Sequence, residues 1–413
     1  MEQTWPDKTV FNGKVSLRIM NKSELIKIAN SRLLTVTSRP DIVMCKGQGM
    51  YLYDTEGNRY LDFIGGWAVN CLGHSPRVIA DVLAEQSRTL LNASPSFYNL
   101  PMLEYADLLT GHCCLDRVFF ASTGAEANEG AIKLARKYGQ VFKNGAFEII
   151  TTQHSFHGRT LATMAATGKQ QWEPLFEPKA GGFRKAMFND LESVTQLISN
   201  KTCAIMIEPI QGEGGVNVAA PEFIQGLRQI CNQENILFIL DEIQTGLGRT
   251  GKLFCYEHYG VEPDMMTLGK GIGGGYPLSA LLVKERLNIF EAGEQGGTYT
   301  GQPLAMAVGL AVLKEILDRN LVEHCRKMGE RLTAMLTGLS QQYEIENIRG
   351  MGLLIAFDLI KTKGKDFVTK CLQDRLLINS PKEKSIRLMP PLIVQENELE
   401  ELVVVLKKNL AGR

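Results

Sequence analysis

The sequence predicts an α/β fold: a mostly parallel central sheet covered by helices, with a smaller α+β domain built from both chain ends. Three observations carry that expectation. Short apolar runs recur at Arg117–Ser122, Phe147–Thr151, Cys203–Glu208, Ile236–Asp241, Met265–Leu268 and Leu278–Val283. Amphipathic helical patterns such as Ala125–Tyr138 and Pro221–Asn232 separate several of them, and strand-helix-strand order implies parallel strands buried on both faces. The chain has 413 residues, enough for two or three domains and a sizeable core.

The flanking elements follow in order. Gly47–Asp54 and Glu56–Phe63 read as a hairpin turning at Glu56-Gly57-Asn58. The apolar runs then form the central block. Beyond it, helical patterns at Pro303–Arg319 and Val322–Leu339 lead to a strand-like Ile348–Phe357. This order divides the chain into an N-terminal segment (1–60), a large domain (61–310) and a C-terminal part (311–413) that joins the first segment.

Lys+Arg and Asp+Glu number 45 each, so there is neither a basic footprint for nucleic acid nor an acidic tail. The nine cysteines show no metal-ligand spacing and read as reduced thiols of a cytoplasmic protein. Met1–Lys8 lacks the order of a signal peptide, and no apolar stretch approaches a membrane span. Neither a metal nor a membrane partner is expected.

Two motif matches fail on context. Gly269–Gly274 fits the GxGxxG dinucleotide fingerprint, but Pro277 and a strand-like run follow where a helix should open. Gly246–Lys252 imitates a phosphate-binding loop, yet Leu253 stands where a magnesium-binding Ser or Thr belongs.

Four other features carry chemistry. Asp241 sits at the carboxyl end of a central strand, where such sheets bind ligands; it is either a buried carboxylate awaiting a cation or a turn cap. Lys270 lies between glycines after another strand, either a desolvated amine nucleophile or a surface lysine. Ser122-Thr123-Gly124-Ala125 joins a strand to a strong helix, which suits a phosphate or an ordinary N-cap. Phe156, His157 and Arg159 in His154–Thr160 offer a ring face and a carboxylate fork, or turn residues over a core Phe. One cofactor uses all four: pyridoxal phosphate needs an amine, a carboxylate for its ring nitrogen, a phosphate cup and a flat cover.

With these residues the chain resembles the class III aminotransferases, pyridoxal-phosphate enzymes of fold type I, and within them the acetylornithine/succinylornithine aminotransferase branch. The motifs are Tyr60–His74, Thr123–Glu129, Phe156–Thr160, Glu208–Gly215, Asp241–Gly246, Lys270, Thr298 and Ile386-Arg387-Leu388. The resemblance implies Lys270 as Schiff-base lysine, Asp241 at the pyridine nitrogen, Gln244 near the ring 3-oxygen and Phe156 on the ring. Thr123, Gly124, Ala125, His157 and Glu208 complete the cofactor site, and Thr298 reaches the phosphate of the neighbouring subunit in a homodimer with shared sites.

For substrates, the resemblance implies that Arg159 anchors the carboxylate of an ω-amino donor and Arg387 the α-carboxylate of glutamate and 2-oxoglutarate. Glu208 would gate Arg387 by pairing with it; the competing account is a conventional buried ion pair. Transamination would be ping-pong. Trp67 and Gly297 depart from the acetylornithine pattern where substrate identity is decided, so another amine, used in a specialised biosynthetic pathway, is the second account. A non-catalytic protein that keeps the fold is the third.

Overall fold

The computed structural model describes residues 20–411, so Met1–Lys8 lies outside the described residues. After a helix at Lys22–Arg32 come three antiparallel strands, β1 (Met44–Gln48), β2 (Tyr51–Asp54) and β3 (Arg59–Asp62). The β2–β3 turn is the expected one, closed by the Asp54 carboxylate, which accepts from the amides of Glu56 and Asn58 at 2.9 Å. The first arm is shorter than the sequence suggested. Gly49 takes a φ of +56°, and the chain folds back there to add β1 to the meander.

The central block supplies β4 (Arg117–Ala121), β5 (Glu148–Thr152), β6 (Phe183–Ala186), β7 (Thr202–Ile207), a small hairpin of β8 (Ile210–Gln211) and β9 (Asn217–Val218), then β10 (Leu237–Asp241), β11 (Met265–Leu268) and β12 (Ser279–Val283). Seven of these form one sheet in the order β4-β12-β11-β10-β7-β5-β6. Only β12 runs antiparallel to its neighbours. Every residue of β7, β10 and β11 is buried, as apolar runs covered on both faces require. Alternate side chains feed two cores: Met206, Ile239 and Met265 pack on one face, Ile205, Phe238 and Met266 on the other. The β6 strand was not expected from sequence. Its exposed Arg184 and its place at the sheet edge hide it as a non-apolar segment.

Helices at Pro303–Asp318 and Leu321–Ser340 lead to β13 (Ile345–Met351), β14 (Leu354–Leu359), β15 (Leu376–Leu377) and β16 (Ser385–Leu388). Where one strand was expected at 348–357, β13 and β14 form a hairpin turning at Gly352, φ +54°. A Cβ there would lie 2.6 Å from the Arg249 carbonyl oxygen. The two chain ends share a sheet: β15 pairs in parallel with β3, and the Phe63 amide donates to the Leu377 carbonyl at 2.9 Å. Among the described residues no helix is long and apolar enough to cross a membrane, and no cluster of three or more metal-ligating side chains occurs.

Candidate active site

Parallel strands present their carboxyl ends on one edge, so residues far apart in sequence meet there. Asp241 closes β10, Lys270 follows β11 by two residues, and Glu208 follows β7 directly. Beyond β4, Thr123 caps the helix Gly124–Phe142; beyond β5 the chain runs through Phe156 to Arg159. Gly124, Ala125, Phe156, Arg159, Asp241 and Lys270 line one cavity of about 290 Å³, with His157, Glu208 and Gln244.

Asp241 is held by uncharged backbone and amide donors and one imidazole. Its Oδ2 accepts from Asn128 Nδ2 and His157 Nδ1, each at 2.8 Å, and its Oδ1 accepts from the Ile243 amide at 3.1 Å. A carboxylate only accepts, so the His157 proton in this contact sits on Nδ1. The partners are themselves fixed. Asn128 Nδ2 also donates to the His157 carbonyl at 2.7 Å, and Thr267 Oγ1 donates to Asn128 Oδ1 at 2.7 Å. His157 thus lies behind Asp241, and Asn128, quoted in the helix-start motif without a role, is the second buttress.

Lys270 adopts a φ of +48° at the start of a single turn of 3-10 helix, a conformation uncommon for a non-glycine residue. Among the described residues its amine has no hydrogen-bond or ion-pair partner. Desolvation pushes its pKa below the ordinary lysine value, against the opposing pull of Asp241, Glu208 and Glu213. Glu208 moves the other way: burial first, then the Asp241 charge, push its carboxyl well above the usual range, while its Oε2 accepts from the Phe156 amide at 2.8 Å. The helix start is open. Thr123 Oγ1 is occupied by the Glu126 amide at 3.3 Å, but the amides of Gly124 and Ala125 have no partner among the described residues.

The far wall differs from the expectation. Arg387, fully buried on β16, pairs with Glu213, not with Glu208: its Nη2 donates to Glu213 Oε1 at 2.7 Å. The β8–β9 hairpin reverses the chain at Gly212–Val216 and swings Glu213 toward β16, whereas Glu208 precedes the hairpin and faces Phe156. Arg387 also donates through Nε to Asn379 Oδ1 at 2.8 Å and through Nη1 to Gln244 Oε1 at 3.4 Å. Gly212 makes room for that contact, since a Cβ there would fall 1.6 Å from Gln244 Oε1. Trp67, 50% exposed, sets its ring 5.6 Å from the Arg387 guanidinium carbon and carries a φ of +67° within a left-handed run from Gly65 to Ala68. A bulky residue in that region is strained by roughly 1–3 kcal/mol.

Arg159 lies over the Trp172 ring at 5.2 Å. Neither Trp172 nor Lys169 carries a sequence signal, because they bracket a single turn of 3-10 helix, Gln170–Trp172, that matches no motif. Thr298 and Gly297 do not reach the Lys270 cavity within one chain. They line a separate cavity of about 370 Å³ with Ser122 and Glu126, on the other side of the same helix start.

The chain is similar to known proteins over most of its length. The family model for aminotransferase class-III matches residues 35–410. The acetylornithine aminotransferase 2 of Bordetella pertussis is 50% identical over 374 residues, covering 90% of this chain and 94% of the relative. The crystal structure of acetylornithine aminotransferase from Elizabethkingia anophelis superposes with a TM-score of 0.86 at 33% identity, covering 95% of this chain and all of that one. An ornithine aminotransferase of Toxoplasma gondii, described with partial occupancy of PLP at its active site, gives a TM-score of 0.92 at 28% identity, covering 96% and 95%. With a match of that extent, and with a lysine and a strand-end aspartate lining one cavity, the chain belongs to the class III aminotransferases.

Proposed function

We propose that this aminotransferase moves the amino group of a carboxylate-bearing ω-amino donor, with N-acetylornithine as first candidate, to 2-oxoglutarate on pyridoxal phosphate, in a ping-pong cycle that yields an aldehyde and glutamate. The observation that carries the proposal is the Lys270 amine, without a partner among the described residues, in a cavity shared with the Asp241 carboxylate and with Gly124 and Ala125, whose amides are likewise unpartnered among those residues. The donor set fits the cofactor: an amine for its aldehyde, an anion for its ring nitrogen, helix N-terminal amides for its phosphate, and Phe156 for its ring face. When bound, it supplies a carbonyl for the amine and a sink for electrons released at the donor carbon.

The chain's residues then divide the work. The lowered pKa of Lys270 suits it to take a proton from the donor carbon and return it elsewhere, since a base is most effective near the working pH. Asn128 and His157 hold Asp241 in place, and Gln244 would meet the ring oxygen. Arg159 grips the distal carboxylate of the donor. Glu213 occupies Arg387 while that donor is bound and yields it to the α-carboxylate of glutamate, so one pocket serves two substrates. In this reading Glu208 shapes the cofactor site, and Trp67 and Gly297 tune donor choice.

Two copies would complete each site. Tyr98, Leu103 and Tyr299 are exposed apolar residues, and Tyr98 and Leu103 line a cavity with Thr300 and Gly301, next to Thr298; such a patch suits burial in a homodimer that carries Thr298 to its neighbour. A cytoplasmic setting fits nine free cysteines. Separated half-reactions test the function. Acetylornithine alone should convert the bound cofactor to its amine form, read by absorbance, and 2-oxoglutarate should then restore it with one glutamate per site. A protein inert to acetylornithine, succinylornithine, ornithine, 4-aminobutyrate and lysine would contradict the proposal.

A further inference from the structure

The Glu213 carboxylate is shared between two cations. Oε1 accepts from Arg387 Nη2 at 2.7 Å, and Oε2 accepts from Lys169 Nζ at 3.1 Å. Burial alone would raise its pKa, but Arg387 and then Lys169 outweigh burial and hold it at about 2. Arg387 is anchored on its other nitrogens by Asn379 and Gln244. The edge that carries Nη2 is therefore the one an incoming carboxylate must take from Glu213.

Lys169 is placed to remain when that happens. Its ammonium lies 4.9 Å from the Phe156 ring centroid and 5.0 Å from that of Trp172, so aromatic faces hold it independently of Glu213. We propose that Lys169 is a specificity-determining positioning residue: it retains Glu213 as an ion pair when Arg387 is released, and so makes the second substrate's carboxylate affordable to bind. Without it, opening the site would leave a half-buried carboxylate, its side chain 30% exposed, with no cation bonded to either oxygen, which is unfavourable. The inference rests on the proposed exchange of Glu213 for a substrate carboxylate at Arg387.

The groups around Glu213 include Lys382 as well. It shifts downward through burial and the neighbouring Lys169 charge, against the pull of Glu213, and its amine lies 3.4 Å from His154 Nδ1. Lys382 thus faces the same carboxylate without bonding it. Only Lys169 and Arg387 hold its oxygens among the described residues.

The test uses glutarate, a five-carbon dicarboxylate without an amino group, titrated calorimetrically into the cofactor-loaded protein, beside half-reactions with glutamate and acetylornithine. Lys169→Met keeps the aliphatic stem over the rings and removes the charge. It should weaken glutarate about tenfold, and raise the KM for glutamate at least about fivefold more than that for acetylornithine. Lys169→Arg should recover most of the loss, a rescue that bulk alone would not give. Glu213→Gln should tighten glutarate and abolish the effect of Lys169→Met in the double variant. Equal losses for both substrates, no rescue by arginine, or an undiminished Lys169→Met effect in the Glu213→Gln background would overturn the role of Lys169. Glutarate binding unaffected by Glu213→Gln would instead remove the exchange reading itself.

Discussion

The floor and the far wall of the cavity both centre on a carboxylate, and they hold it in opposite ways. Asp241 is fastened by an amide side chain, a backbone N–H and an imidazole; Asn128 is tied in turn to Thr267, and His157 is held through its backbone N–H on Thr167, while its Nε2 has no partner among the described residues. Glu213 is held by two cations, one on each oxygen. Directional bonds to a connected frame fix position, whereas an ion shared between two counter-ions can change partner without ever standing alone. In the proposed function, the contrast suits a floor that serves one resident cofactor and a wall that serves two substrates in turn.

Breaking the floor should have the largest effect. Asp241→Asn removes the charge at the position where electrons are drawn, and kcat should fall roughly 10²–10³-fold, in the range of a lost electrostatic stabiliser. Steady-state assays would check it; a loss under threefold would show that the floor carries no catalytic charge. Asn128→Ala leaves Asp241 its charge but removes one buttress and strands the Thr267 hydroxyl. About a tenfold loss in kcat with little change in KM is expected, by analogy with shells that orient a charged group. A KM-dominated loss would place Asn128 in substrate binding.

Sequence showed the floor better than the wall, for a physical reason. Asp241 and Lys270 each follow a buried apolar strand, and β10 and β11 lie side by side in parallel, so strand order alone brings them together. Asn128 stands in a helix and reads as one polar residue in an amphipathic pattern; only the register of that helix on the sheet aims it at Asp241. The partner of Arg387 was misread because Glu208 and Glu213 belong to one short motif. Choosing between them requires the β8–β9 reversal and the position of β16, which carries Arg387 174 residues beyond Glu213. Lys169 and Trp172 gave no signal, since a single 3-10 turn is too short to show periodicity and does not announce which rings it brings together. Thr298 is legible as a motif residue, yet within one chain it lines a cavity other than that of Lys270.

An effect on stability and not on rate sharpens the wall. Glu213 has a folded-state pKa of about 2 against an ordinary value of 4.5. A depressed carboxyl contributes stability that is fully present above its unfolded pKa and is lost as pH falls from there toward the folded value. Glu213→Gln should therefore flatten the acid limb of unfolding stability between about pH 4.5 and pH 2, by on the order of 2 kcal/mol. Urea titrations across that range would read it, and superimposable limbs would mean that the two cations do not hold this carboxylate.

Everything on the floor depends on the amine of Lys270, which lines the cavity without a partner among the described residues. Reduction of the cofactor-loaded protein with borohydride, followed by proteolysis and mass spectrometry, reads that amine directly. The account predicts a pyridoxyl-phosphate mass on the peptide containing Lys270 at near one per chain, lost in Lys270→Ala while the circular dichroism spectrum is kept. An adduct confined to other lysines, or none at all in protein saturated with pyridoxal phosphate, would contradict it.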